Sequence, residues 1–304
     1  IDDSEEETGT VEDIGIVEDI GIVEDTGTSE DTGTVEDMGT QTVPCDNVYK
    51  GDYTIENQDD TDTIAGYCEI TGGLIITGTG LTSLELPALT SVGGYLWVED
   101  NDALTSFELP ALTSVGGYLR VKYNHALITF ELPALTSVGG DLSVTYNDAP
   151  TSLSLPALKT VGGHLSVKYN HALLTFEFPD LTSVGGLSVV NGALTSFELP
   201  ALTSVGGYLL VQDNTGVTSF SLPALTSIDG YLRVWGNASL TILSLPKLTS
   251  VGDDLWALGN PALAQCLVDA LVAQIQAGEG IGGPIATRNN NTDCTCSEVN
   301  GVLE

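Results

Sequence analysis

Residues 110–132 read P-A-L-T-S-V-G-G-Y-L-R-V-K-Y-N-H-A-L-I-T-F-E-L, and residues 133–155 read P-A-L-T-S-V-G-G-D-L-S-V-T-Y-N-D-A-P-T-S-L-S-L. The two segments align without a gap, and the pattern runs on in both directions. Pro87, Pro110, Pro133, Pro156, Pro179, Pro200, Pro223 and Pro246 recur at 23 residues, with one interval of 21. Asn101, Asn124, Asn147, Asn170, Asn191, Asn214, Asn237 and Asn260 keep the same spacings. A period of this length marks a solenoid, in which each lap of chain cannot bury its apolar face alone and stacks on its neighbours to do so. The short interval falls at G-G-L-S-V-V-N, residues 185–191, and a partial first turn sits at residues 71–76.

One unit explains the others. Leu119 and Val121 alternate with Tyr118, Arg120 and Lys122, the period of a strand. Gly116-Gly117 permits a sharp turn where Cβ atoms would clash. Asn124 ends the strand at a bend, where its amide can bond neighbouring backbone groups. Leu127, Phe130 and Leu132 turn inward, Pro133 follows where no ladder donor is needed, and Leu135 and Val138 close the lap. The expected fold is all-β: a single-stranded, leucine-rich-repeat-like β-solenoid of about nine turns, each about 4.8 Å from the next. After Asn260 the spacing becomes helical at Leu263, Leu267, Leu271 and Ile275. Asn260 suits an N-cap and Pro261 the first helical position, and Gly278 and Gly280 end the segment. This helix is expected to cover the last open edge. The chain divides into an acidic head (1–43), an N-terminal cap with the first turn (44–80), the repeats (81–260) and a capping helix with its tail (261–304).

Eight Lys and Arg face 42 Asp and Glu, a formal net charge of -34. Such a surface repels phosphate backbones and anionic membranes, so nucleic acid is not an expected partner. No apolar run of about 18 residues exists to span a bilayer. The opening at Ile1, with the one methionine at Met38, reads as a processed chain. Cys45 and Cys68 precede the repeats and Cys266, Cys294 and Cys296 follow them. Disulfides at the two ends, one cysteine left over, and an extracellular or cell-surface location are the expectation.

The head holds five copies of a hexapeptide of the type V-E-D-I-G-I and fifteen acidic residues without a basic one. It cannot bury enough to fold alone. One reading is a solvated spacer. The other is a docking strand: an even period puts Ile14, Ile16, Ile20 and Ile22 on one face and Val11, Val17 and Val23 on the other, a pattern able to add to a neighbouring subunit's sheet edge.

The repeated L-T-S-V-G-G-Y-L-x-V-x-x-N-x-A-L-T-S, with Cys45 through Cys68-Glu-Ile-Thr-Gly-Gly-Leu before it and the Cys266 helix after it, resembles the receptor L-domain and its bacterial and fungal surface-protein relatives. The resemblance covers about 260 residues and leaves out the head. It implies a non-catalytic solenoid on secreted or surface proteins, with a broad strand face that in receptors of this type binds protein ligands.

Catalysis needs convergent groups, whereas repeats deliver copied columns. Glu85, Glu108, Glu131, Glu177 and Glu198 form one column, with Ser154, Ser221 and Ser244 in the remaining turns. Glu108 and Glu131, one turn apart, have the separation of a retaining glycosidase pair, but any copied acidic column has it. Calcium bridging at this pair is the cofactor to test. His125 and His171 sit two turns apart, too far to bind one metal directly. The Thr90, Thr113, Thr136, Thr182, Thr203, Thr226 and Thr249 column raises an ice-binding alternative, in which only one of each Thr-Ser pair would face outward. The strand after each Gly-Gly is more informative. It carries Trp97, Arg120, Lys122, Tyr123, Tyr146, Lys168, Tyr169, Arg233, Trp235 and Trp256, an aromatic and cationic strip suited to a protein or glycan. The same strip suits the acidic head of a second copy, which would make the chain a filament subunit. No catalytic residue is expected. A cluster that breaks the repeat would be sought near Val190, where two residues are missing.

Overall fold

The computed structural model describes residues 46–293. Each lap of about 23 residues contributes to three parallel ladders. The long ladder runs from Tyr53–Ile55 and Leu74–Thr77 through Leu96–Glu99, Leu119–Lys122 and Leu142–Thr145 to Leu232–Trp235, Leu255–Leu258 and Ile285–Arg288. Its register is the sequence period: Leu119 lies opposite Leu96 and Leu142, and Val121 opposite Val98 and Val144. A short ladder stacks the Ser-Val pairs, such as Ser114–Val115 on Ser91–Val92. A third ladder stacks the Ser-Phe-Glu segments. The result is a single-stranded β-solenoid of about nine turns, capped by a C-terminal helix.

The interior is one column of apolar side chains per inward position. Leu119, Val121, Leu127, Leu132, Leu135 and Val138 are all buried, and their equivalents in other turns join the same core. Phenylalanines stack along the axis, Phe176 on Phe197 at 5.0 Å and Phe197 on Phe220 at 5.2 Å. The paired glycines answer to close approach between turns. A Cβ on Gly116 would lie 2.1 Å from the carbonyl oxygen of Gly93, and one on Gly139 equally near that of Gly116. Because the obstacle is backbone, no larger residue fits.

The asparagine amides bond neighbouring backbone groups as expected, and they do so from the interior. Asn124 is fully buried. Its Nδ2 donates to Val98 O in the turn before at 3.0 Å and to Lys122 O at 3.0 Å, and its Oδ1 accepts from the Asn101 backbone N–H at 3.2 Å. The column has terminators. Thr79 donates its N–H and its hydroxyl to Asn101 Oδ1 at one end. Asn290 continues the column past Asn260 at the other, donating to Ala257 O and Gln265 Oε1.

Two helices cover the ends. The first, α1 (Gln58–Ile64), has no apolar periodicity and was not expected. A capping box starts it: Asn57 Oδ1 accepts from Asp60 N–H at 3.2 Å while Asp60 Oδ2 accepts from Asn57 N–H at 3.2 Å, and Ile64 seals against the core. The second, α2 (Gln265–Ala277), turns Cys266, Val268, Leu271 and Ile275 inward. It begins later than expected. Asn260 does not cap it, because its amide is committed to Val234 O and Asn290 in the buried column. Ala264 stands at the N-cap without a side-chain bond, and Leu267 is only partly buried.

The disulfide expectation is corrected only in part. Cys68 is disulfide-bonded, while among the described residues no disulfide joins two cysteines to each other. The described ends are sealed by apolar packing of α1 and α2. Cys45, Cys294 and Cys296, the acidic head and its docking residues lie outside the described residues. Among those described, no helix is long and apolar enough to cross a membrane.

Replacing Asn147 by Ala removes donors to Val121 O and Thr145 O and the acceptor for Asn124 N–H. With buried polar groups costing about 1–3 kcal/mol each when unpaired, the expected loss is about 3 kcal/mol or more by urea denaturation. Asn147→Leu is expected to fail equally, since added apolar volume satisfies none of these groups.

Candidate functional site

Alternation along the long ladder fixes which side chains face outward. The central outward column reads Trp97, Arg120, Ser143, Ser166, Ser188, Leu210, Arg233 and Trp256 in register. The residue after each Gly-Gly adds a flanking column of Tyr95, Tyr118, Asp141, His164, Tyr208 and Tyr231. The fourth strand position adds Glu99, Lys122, Thr145, Lys168, Gln212 and Trp235 on the other side.

At one end of the strip, Arg120 lies 5.2 Å from the Trp97 ring and 5.6 Å from that of Tyr118, while Tyr118 stacks on Tyr95 at 5.2 Å. The Trp97 indole N–H bonds Glu99. At the other end Arg233 lies between Tyr231 and Trp256, at 4.0 and 3.9 Å, and donates to Asp254 at 3.1 Å. Tyr208 stacks on Tyr231 at 5.2 Å. Burial, then the charges of Tyr231 and Asp141, hold the Tyr208 phenol above its ordinary pKa. Guanidinium groups sandwiched by rings are preorganised, and such anchors dominate binding energy at interfaces.

The structure brings most of the expected strip together. Lys122 reaches Tyr123 at 4.2 Å and Tyr146 at 5.7 Å, and Tyr123, Tyr146 and Tyr169 form a continuous stack at 5.0 and 4.8 Å. These tyrosines sit at φ of 54 to 56°, a left-handed conformation that favours glycine; Gly236 and Gly259 adopt it elsewhere in the strip. Lys168 is half-buried, and desolvation lowers its pKa. Trp235 stands apart, 49% exposed and away from the rings that hold Arg233.

Other candidates are placed differently. His125 and His171 both reach Asp148, in the turn between them, at 2.7 and 3.8 Å. The threonine hydroxyls are used within the stack: Thr113 donates to Thr90 O and Thr136 to Thr113 O, both at 2.9 Å. Glu85, Glu108 and Glu131 are register neighbours, as are Glu177 and Glu198. No cluster of three or more His, Cys, Asp or Glu side chains suited to a metal occurs among the described residues.

The two-residue deletion has a local consequence. The register slips between Val161 and His164, and Gly186 takes the place opposite His164. A Cβ there would meet His164 Nδ1 at 2.3 Å, so the imidazole leans over the glycine and stacks on Tyr208 at 4.9 Å.

The third ladder is broken twice, after Thr129–Glu131 and after Ser196–Glu198. Both breaks follow a loss of volume at one inward position, where Leu127 gives way to Pro150 and Leu194 to Val217. Clefts of about 260 and 300 Å³ open there, one between Glu131 and Ser154, the other between Glu198 and Ser221. They are larger than the recess of about 150 Å³ beside Tyr118 and Arg120 on the strip, yet they lack its cations and stacked rings. No family model matches the chain, and no curated protein or solved structure matches it.

Pro150→Leu tests the origin of the first break. In the turn before, Leu127 N–H donates to Asn124 O at 3.1 Å; Pro150 has no such donor and less apolar volume. The substitution is expected to close the cleft and raise stability by about 1–2 kcal/mol in urea denaturation.

Proposed function

We propose that this chain is a non-catalytic recognition scaffold, secreted or held at the cell surface, that binds a protein or glycan partner along the outward face of the long ladder. One observation carries the reading. In a chain of net charge -34 with eight basic residues, Arg120, Lys122, Lys168 and Arg233 sit on this face, each Arg held by aromatic rings, and Arg288 adds a fifth on the last strand. Scattered cations would serve solubility; cations gathered on one ring-lined face serve contact. The resemblance of the repeat to receptor L-domains supports both the strand face and the extracellular setting. Copied columns give no convergent nucleophile, base and oxyanion donor, which supports a role without catalysis.

The test is binding of the purified chain to arrays of immobilised glycans and extracellular proteins. Arg120→Glu combined with Arg233→Glu is expected to weaken capture more than tenfold, while Lys247→Glu, at an exposed corner away from the strip, leaves it intact. Equal capture by all three proteins would refute the assignment of the face.

A second reading is favoured by charge complementarity. The head, acidic throughout, matches the cationic strip of another copy, which would make the chain a subunit of an extracellular filament. Electron microscopy would then show polymers that vanish when residues 1–43 are deleted; monomers with the head present would exclude it. Calcium bridging at Glu108 and Glu131 is tested by melting with and without chelator, an upward shift with calcium being the expected sign of a bound ion.

A further inference from the structure

We propose that the middle of the strip holds a seat for a single hexopyranose ring, bounded by Tyr118, Arg120, Asp141, Ser143 and Ser166. The seat rests on the strand-face reading above and names its ligand as a sugar.

Two columns lose their bulk in the same turns. The flanking column is aromatic at Tyr95, Tyr118, Tyr208 and Tyr231 but carries Asp141 between them. The central column is Trp or Arg at both ends but Ser143, Ser166 and Ser188 in the middle. A recess of about 150 Å³ lies where these losses coincide, lined by Tyr118, Leu119, Arg120, Asp141, Ser143 and Ser166. That is below the roughly 300–1,000 Å³ of sites for drug-sized ligands, and suits one small ring.

The walls select the kind of ring. Tyr118 has Tyr95 stacked on one side. The column has no ring at Asp141 to stack on its other side, and the Arg120 guanidinium borders the ring at 5.6 Å. The next ring, His164, leans away onto Tyr208. Tyr118 and Tyr208 are four turns apart, about 19 Å at 4.8 Å per turn, so the His164 ring leaves the two turns above Ser143 and Ser166 open. A sugar presents C–H groups to an aromatic face and hydroxyls around its edge. The edge here meets the Arg120 guanidinium, which only donates, the Asp141 carboxylate, which only accepts, and two serine hydroxyls that do both. Asp141 is held in place, since its Oδ1 accepts from the His164 backbone N–H at 2.8 Å. A phenyl ring would leave this polar floor unsatisfied, at a cost for each group.

The experiment uses the full chain with methyl glycosides of glucose, galactose, mannose and glucuronic acid, read by saturation-transfer NMR. Transfer is expected for at least one glycoside, strongest at ring protons of one face, with a millimolar dissociation constant. Asp141→Tyr restores the residue the repeat carries at Tyr95, Tyr118, Tyr208 and Tyr231, so it is expected to fold with an unchanged or raised melting temperature while weakening the glycoside at least about tenfold. Ser143→Trp, which copies Trp97 in the same column, is a second way to fill the recess. No transfer from any glycoside, or undiminished transfer in both variants, overturns the seat. If array capture is then still lost in the Arg120→Glu, Arg233→Glu protein, the strand face stands and only the seat has failed; if capture survives there too, the face itself has failed.

Discussion

A buried column of asparagine amides sets the geometry on which everything else depends. Each amide takes a carbonyl from the turn before and offers its oxygen to that turn's asparagine backbone N–H, so it binds adjacent turns at one fixed offset. Hydrophobic contact between laps is non-directional and would tolerate slippage; the amide column does not. Except at Asn191, where Val190 does not adopt it, the residue before each asparagine of the column swings through the left-handed region as the amide turns inward. That position is Asp100, Tyr123, Tyr146, Tyr169 or Asp213 at φ of 53 to 57°, and Gly236 or Gly259 later in the chain. For a tyrosine this conformation costs about 1–2 kcal/mol, and the bonds of the next residue offset it. The same constraint that aligns the core therefore projects a tyrosine stack onto the outer face, joining the stability of the rod to the chemistry of its surface.

What was legible in the sequence follows from this arrangement. The inward residues repeat because every turn buries the same positions, so Leu119, Val121 and Asn124 disclose the lap, its ladders and its direction. The cationic and aromatic strip was legible for the same reason, since alternation within Leu119–Lys122 places Arg120 and Lys122 outward. The capping helix was seen, but its start was misplaced. Asn260 looks like an N-cap in isolation, and only the column of seven earlier asparagines, carried inward, shows that its amide is already committed. Helix α1 left no periodic signal in Q-D-D-T-D-T-I; its one cue was the pairing of Asn57 with Asp60 three residues on. The cysteine positions did not disclose that the described ends are also sealed by the apolar packing of Ile64, Val268, Leu271 and Ile275.

The features missed altogether lie between turns and not along them. A row of sequence shows that Pro150 or Val217 is an acceptable apolar residue; only the column shows a leucine lost, and with it the continuity of the third ladder. Likewise, His125 and His171 are two turns apart along the axis, and Asp148 is visible as their shared partner only once the intervening lap is placed. In a stacked protein the informative neighbour of a residue is the one 23 positions away.

The two-residue deletion at residues 185–191 shows how such a protein acquires a particular place in an otherwise repetitive surface. It removes the residue that would continue the ring column between His164 and Tyr208, and the left-handed residue that would continue the tyrosine stack beyond Tyr169. Tyr169 N–H then donates to Val190 O, and His164 fills the vacancy over Gly186. One change in lap length thus ends both outer stacks at the same level and draws His164 away from Asp141. The recess beside Tyr118 is open on that side because of a deletion two turns further on. Repetition supplies the rod and its polar columns, and a single departure from it, transmitted by stacking, shapes the stretch of surface where a ligand can be told from any other.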